Sequence, residues 1–158
     1  MVQIWNRRLK LQLKLLNSPN LNKGKVLAID YGKRRIGIAS GDLEVGIAFP
    51  RTVIENKSRE YVLGQLLKIC SDIQVKMIIV GLPLSMQEDQ RENRIMKDLK
   101  SFIENLKVAM KDIEVVLFDE RLSSFEADQL MSEYNMKGPD DSYAAQIILQ
   151  RFFHNMKA

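Results

Sequence analysis

The sequence predicts an α/β protein: a mixed five-stranded sheet flanked by helices, with elements in the order β-β-β-α-β-α-β-α-α. Three observations carry this. Three short apolar runs precede any helical pattern, two later runs alternate with amphipathic segments, and Gly, Pro, Asn or Asp marks the junctions. Val26-Leu27-Ala28-Ile29 and Ile36-Gly37-Ile38-Ala39 read as two strands joined tightly through Asp30-Tyr31-Gly32. A third strand is expected over Val45 to Ile54, with Pro50 holding it to an edge or a bulge.

Ser58 is placed to cap a helix whose apolar positions are Val62, Leu63, Leu66, Leu67 and Ile69. Lys76 to Val80 has the pattern of a buried strand and ends in Gly81-Leu82-Pro83. A long charged helix follows, with Ile95, Leu99, Phe102, Ile103, Leu106 and Met110 on one face. Ile113 to Phe118 is the fifth strand and leads into Asp119-Glu120-Arg121. Ser123 and Glu126 form a capping box for a helix to about Tyr134. Gly138-Pro139 then stops the chain, and Asp140 or Asp141 caps a last helix with Ala144, Ile147, Ile148 and Phe152 on its buried stripe.

A chain of 158 residues is long enough for one domain with a core of its own. Its longest apolar stretches are far too short to span a bilayer, so no membrane segment is expected. Cys70 is the single cysteine and fits a reducing, cytoplasmic compartment. His154, the single histidine, supports neither a Cys/His zinc site nor, near the end of the chain, a serine triad. The net charge of +4 is unevenly distributed. Residues 1–29 hold Arg7, Arg8, Lys10, Lys14, Lys23 and Lys25 with no acid, which leaves the remainder at −2. Residues 1–24, where Leu9, Leu11, Leu13 and Leu15 alternate with polar residues, are expected to form a basic arm, flexible or docked at a sheet edge. Residues 25–158 form the domain. An upstream start and a targeting peptide are the other readings of the arm.

With those chemistries set aside, the candidates are carboxylates at element ends: Asp30 after the first strand, Glu120 beside Asp119 after the fifth, and Asp141 at the last helix. Strand ends and helix starts of an open sheet converge on one crevice. Carboxylates gathered there repel one another unless they share a divalent cation, and hard oxygen donors select Mg²⁺ or Mn²⁺. Each acid also has a plain structural reading. Asp141 serves as an N-cap, and Asp119 and Glu120 serve as solvated loop charges or partners of Arg121. Asp30, directly after four apolar residues, needs a cation or hydrogen-bond donors. Lys33, Arg34 and Arg35 read either as solvated charges of a hairpin or as phosphate contacts, and Gly81-Leu82-Pro83 as a strand exit whose backbone N–H groups can meet a phosphate.

Asp30 to Ala39, Val80-Gly81-Leu82-Pro83-Leu84, Asp119 to Ser124 with Glu126-Ala127, and Asp141 to Ala145 with Ile147 to Gln150 resemble, in order and spacing, the motifs of the YqgF/RuvX family of pre-16S rRNA nucleases. Members are also called Holliday-junction-resolvase-like proteins. The resemblance covers about Lys25 to Phe153. It implies an RNase H-like three-layer fold and a metal-dependent phosphodiesterase, in which Asp30, Glu120 and Asp141 match the family's acids and together hold two Mg²⁺ ions. Lys33, Arg34, Arg35 and Arg121 are then nucleic-acid contacts, and Gly81 and Pro83 belong to a loop near the substrate. The implied function is trimming of the 5′ end of the small-subunit rRNA precursor in ribosome biogenesis. The alternatives are a branched-DNA endonuclease and, from a different class, a non-catalytic nucleic-acid- or ribosome-binding protein. Expected partners are pre-rRNA or branched DNA and a ribosomal subunit precursor, with the protein a monomer or homodimer. Two departures stand out: Lys33 where many members have Thr or Ser, and Ser85-Met86-Gln87-Glu88 where the family has Asn, two residues and Gly.

Overall fold

A computed structural model describes residues 23–82, 90–119 and 141–157, together with Gln129 and Ser132. Five strands, β1 (Lys25–Tyr31), β2 (Arg35–Asp42), β3 (Ala48–Glu55), β4 (Val75–Leu82) and β5 (Glu114–Asp119), form one sheet in the order β3-β2-β1-β4-β5. β2 is antiparallel to both β1 and β3, whereas β4 runs parallel to β1 and β5 to β4. This is the expected mixed sheet. The change of sense at β1 follows from the connections, because tight turns join antiparallel neighbours and a helical crossover returns the chain parallel. Pro50 lies on edge strand β3, beside a bulge opposite Ile38 and Ala39, where its missing N–H disrupts no inner ladder.

Helices α1 (Arg59–Ile73) and α2 (Gln90–Ala109) cover one face of the sheet and α3 (Asp141–Lys157) the other. Strand alternation divides the core accordingly. Leu27, Ile29, Ile36, Ile38, Ile78 and Val80 pack under α1 and α2, while Val26, Ala28, Ala39, Met77, Ile79 and Phe118 pack under α3. The Ser58 side chain accepts from the Tyr61 N–H at 3.1 Å, as an N-cap should, and Gln74 closes α1 in the left-handed conformation at φ 54°. The helix expected from Ser123 to about Tyr134 lies outside the described residues, apart from Gln129 and Ser132, which are both helical.

Three packing expectations are corrected. Leu67 is 45% exposed because it falls on the flank of α1, while Val62, Leu66 and Cys70 form its buried line. Ile95 does lie on the apolar stripe of α2, yet it is 49% exposed. A 20-residue helix is about 30 Å long and outruns the strands beneath it. On α3 the buried stripe is Ala145, Ile148, Leu149, Phe152 and Phe153, rotated from the predicted one so that Ala144 and Ile147 are only half-buried. Contacts of Phe153, Gln146 and Gln150 fix that rotation. Gly41 leaves room for the Phe153 ring, which would lie 2.7 Å from a Cβ there. Gln146 donates to the Ala48 carbonyl at 3.0 Å, and Gln150 accepts from the Ala48 N–H at 3.0 Å while donating to the Gly46 carbonyl at 3.1 Å.

The start of the domain takes up part of the N-terminal charge. Lys25 pairs with Asp42 at 3.2 Å, and Lys23 lies 3.7 Å from Glu44. The Glu44 N–H and then Lys25 hold the Asp42 carboxyl below the usual range. Among the described residues, no helix is long and apolar enough to cross a membrane.

Phe152→Ala is expected to lower the unfolding free energy by about 3–5 kcal/mol, whereas Leu67→Ala costs under about 1 kcal/mol, as measured by urea titration. Burial pushes the Cys70 thiol up to about 11. Native protein at pH 8 should therefore resist alkylation by iodoacetamide and react only once urea has unfolded it.

Candidate active site

β1 carries the central residue of the site. Its inner positions alternate Val26 and Ala28 toward α3 with Leu27 and Ile29 toward α1 and α2, all fully buried. The same alternation sends Asp30 to the α3 face and Tyr31 to the other, both half-buried at the end of the strand. Asp30 has Gly37 beside it on β2. On β4, Gly81 follows Val80, the partner of Ile29, and so occupies the corresponding level on the other side. Two buried glycines thus flank the carboxylate, where larger side chains would fill the space over the sheet.

α3 packs on the sheet face to which Asp30 points. Gln146 and Gln150 bond to Ala48 and Gly46, and Ala48 pairs with Gly41 at the opposite end of β1 from Asp30. Five residues before Gln146 the helix begins at Asp141. Gly81 is paired with Phe118 of β5, and Phe118 meets Phe152 of α3 edge to face at a centroid separation of 6.0 Å. Asp119, one residue on, pairs with Leu82 and falls on the α1 and α2 face with Leu117. It therefore does not share the side of Asp30. Glu120, Arg121 and Pro83 lie outside the described residues, as does the side chain of Asp141. Among the described residues no three His, Cys, Asp or Glu side chains form a metal-binding group. A half-buried carboxylate with side-chain-free positions on either side nevertheless suits a small hard cation.

The basic turn is divided between the two faces. Arg35 lies two residues before Gly37 on β2 and so on the face of Asp30, whereas Lys33 lines a groove with Tyr31 on the opposite side. A Cβ at Gly32 would collide with the Arg35 carbonyl oxygen, so the turn requires glycine. Asn56, which the sequence reading did not single out, clamps this turn. Its side-chain amide donates to the Gly32 carbonyl at 3.0 Å and to the Tyr31 hydroxyl at 3.3 Å, and its backbone N–H donates to the Arg34 carbonyl at 2.9 Å. The Tyr31 hydroxyl in turn donates to Asp98 at 2.5 Å, and Arg59 donates to the other Asp98 oxygen at 3.1 Å. The Tyr31 ring stacks on Phe102 at 4.6 Å. Burial, with help from the Asp98 carboxylate, raises the Tyr31 phenol above its ordinary range and keeps it a neutral donor. The only sequence signal for Asn56 was its place two residues before the Ser58 cap, a common polar junction.

The RuvX family model, described as Holliday junction resolvase, matches residues 24–155. The chain belongs to the RuvX family. A relative from Nitrosospira multiformis named "Putative pre-16S rRNA nuclease" is 34% identical over 140 residues, 85% of this chain and 91% of its own length. One of the same name from Rickettsia akari is 30% identical over 153 residues, 92% of each chain. Among solved structures, Thermus thermophilus RuvC in complex with a Holliday junction substrate superposes with a TM-score of 0.61 at 14% identity, over 85% of this chain and 96% of that one. The RuvX-family chain therefore has the expected RNase H-like fold, with Asp30 at the end of its central strand.

Asn56→Ala should destabilise the protein by about 1–3 kcal/mol, because the Gly32 carbonyl loses its side-chain donor. Hydrogen exchange of the 32–35 turn should rise more than that of β4.

Proposed function

We propose that this RuvX-family protein is a divalent-metal-dependent nuclease that hydrolyses phosphodiester bonds of structured RNA in the cytoplasm. Its substrate in this reading is the 5′ side of the small-subunit rRNA precursor. The observation that carries the proposal is the position of Asp30 at the end of a two-face-buried strand between Gly37 and Gly81. Family membership and the names of the relatives support the substrate.

Asp30, Glu120 and Asp141 are the residues we assign to hold Mg²⁺ or Mn²⁺. Held by these acids, the metal would supply an activated water and charge neutralisation at the leaving oxygen. Asp119 shares the α1 and α2 face with Leu117, which supports Glu120, the next residue, as the acid contributed after β5. Gly37 and Gly81, on either side of Asp30, put no side chain of their own between a phosphodiester and the carboxylate. Arg35, on the same face, and Arg121 and Arg34 are assigned to substrate phosphates, which fix position and contribute affinity without reading sequence. Residues 1–24 are assigned to a basic arm outside the catalytic domain, which makes further phosphate contacts.

A second reading, a branched-DNA endonuclease, is favoured by the family's description as Holliday junction resolvase. One experiment separates the two. Labelled pre-rRNA and a four-way DNA junction are incubated with wild type or Asp30→Asn in Mg²⁺, Mn²⁺ or EDTA. Cleavage of pre-rRNA that falls more than about 100-fold in Asp30→Asn, beyond the usual cost of losing an outer-sphere partner, and stops in EDTA supports the proposal. Cleavage confined to the junction moves the assignment to DNA, and cleavage indifferent to EDTA or Asp30→Asn removes the metal site. Deleting residues 1–23 should weaken RNA binding and reduce the slope of log K against log salt by roughly one per lost phosphate contact.

A further inference from the structure

We propose that the groove between the β1–β2 turn and the N-terminal half of α2 binds a single-stranded flank of the polynucleotide, with a base against Ile95 and Tyr31 and the adjoining phosphates on Lys33 and Arg94. The inference rests on the nuclease reading above and adds a subsite to it. The groove has a volume of about 500 Å³ and is lined by Tyr31, Lys33, Arg94, Ile95 and Asp98. A space of that size suits a ligand of roughly one nucleotide and is too small for a duplex.

Four features give the groove this chemistry. Ile95 continues the stripe of Leu99, Phe102 and Leu106, so its side chain points as core residues do. It is nevertheless 49% exposed, because α2 extends past the end of the sheet. An apolar side chain that projects over a gap rather than into protein is a surface for a flat apolar group. Tyr31, across the groove, is held by its stack on Phe102 and by its bonds to Asp98 and Asn56, so ordering it on binding costs little entropy.

The charge balance favours an anion. Lys33 and Arg94 are both exposed at the groove. Its acid, Asp98, already accepts from Arg59 and from the Tyr31 hydroxyl, so its charge is largely compensated. Base stacking beside paired cations is the usual means of holding a single strand without reading its sequence. The location supplies the link to the reaction. Tyr31 follows Asp30 directly and faces the opposite side of the sheet. A strand crossing the end of β1 therefore presents one phosphate to Asp30 and its neighbouring nucleotide to the groove. Lys33, on this side, acts apart from Arg35, which shares the Asp30 face.

The test reads binding without turnover. Fluorescence anisotropy in Ca²⁺ compares the full chain with Arg94→Ala, Ile95→Ala and, as a remote charge control, Arg51→Ala. The probes are an RNA duplex carrying a short single-stranded extension, the same duplex blunt, and the DNA versions of both. Wild type should bind extended duplexes more tightly than blunt ones. Arg94→Ala and Ile95→Ala should each raise Kd for the extended probes about tenfold and leave the blunt probes unchanged. Arg94→Ala should also reduce the salt slope by about one on extended probes alone. Ile95 and Arg94 are exposed, so unchanged thermal unfolding verifies that the variants fold. Equal losses on blunt and extended probes, no loss beyond that of Arg51→Ala, or no preference of wild type for the extension would overturn the groove and leave the nuclease reading standing. A wild-type protein that binds none of the four probes would overturn both.

Discussion

The burial of β1 on both faces is the constraint on which the rest of the molecule depends. Val26, Leu27, Ala28 and Ile29 are all fully removed from solvent, two toward α3 and two toward α1 and α2. A strand so placed has to be central, with neighbours on both sides to pair its backbone groups, and β2 and β4 provide them. Because the side-chain period is two, the register that buries these four residues also sends Asp30 and Tyr31 to opposite faces at the open end. A slip of one residue would exchange the two. The catalytic assignment and the groove therefore depend on the same register.

The surroundings of the two residues differ in kind. Asp30 is bordered by Gly37 on β2 and Gly81 on β4, neither of which carries a side chain. Tyr31 is bordered by Phe102, Asp98 and Asn56, and Arg59 in turn holds Asp98 and lies over the Phe102 ring, so the Tyr31 ring and hydroxyl are held in place from several directions. A fixed aromatic on one side and an accessible acid on the other suit a strand that must be positioned before it is cut. Asn56 couples the two sides, since it bonds both to the Tyr31 hydroxyl and to the turn that carries Lys33, Arg34 and Arg35.

Elements with a strong local signature were legible residue by residue. The apolar runs of β1, β2, β4 and β5 and the Ser58 cap are patterns of neighbouring residues, and neighbours are what a sequence displays. Asp30 was legible for the same reason, as an acid immediately following an apolar strand. What escaped were relations between distant segments. Gln146 looks like a surface position on a helix, yet it is buried because the Ala48 carbonyl needs a donor from that side. The rotation of α3 that follows depends on Gly41, a residue with no visible connection to Phe153 in the linear chain. Ile95 has the right periodicity for the core and is exposed only because the sheet ends before the helix does.

The sequence by itself determined the order of strands and helices, the acid at the end of the first strand, the glycine-dependent basic turn and the family motifs, because each is written in short-range pattern or composition. It also showed that the excess positive charge belongs to the N-terminal segment. Only the tertiary structure decided which face each of these residues meets. It set Arg35 with Asp30 and Lys33 with Tyr31, turned Asp119 away from Asp30, and brought Asn56 and Asp98 to the Tyr31 hydroxyl. Those outcomes depend on strand register and helix rotation, which are settled by the packing of residues far apart in the chain.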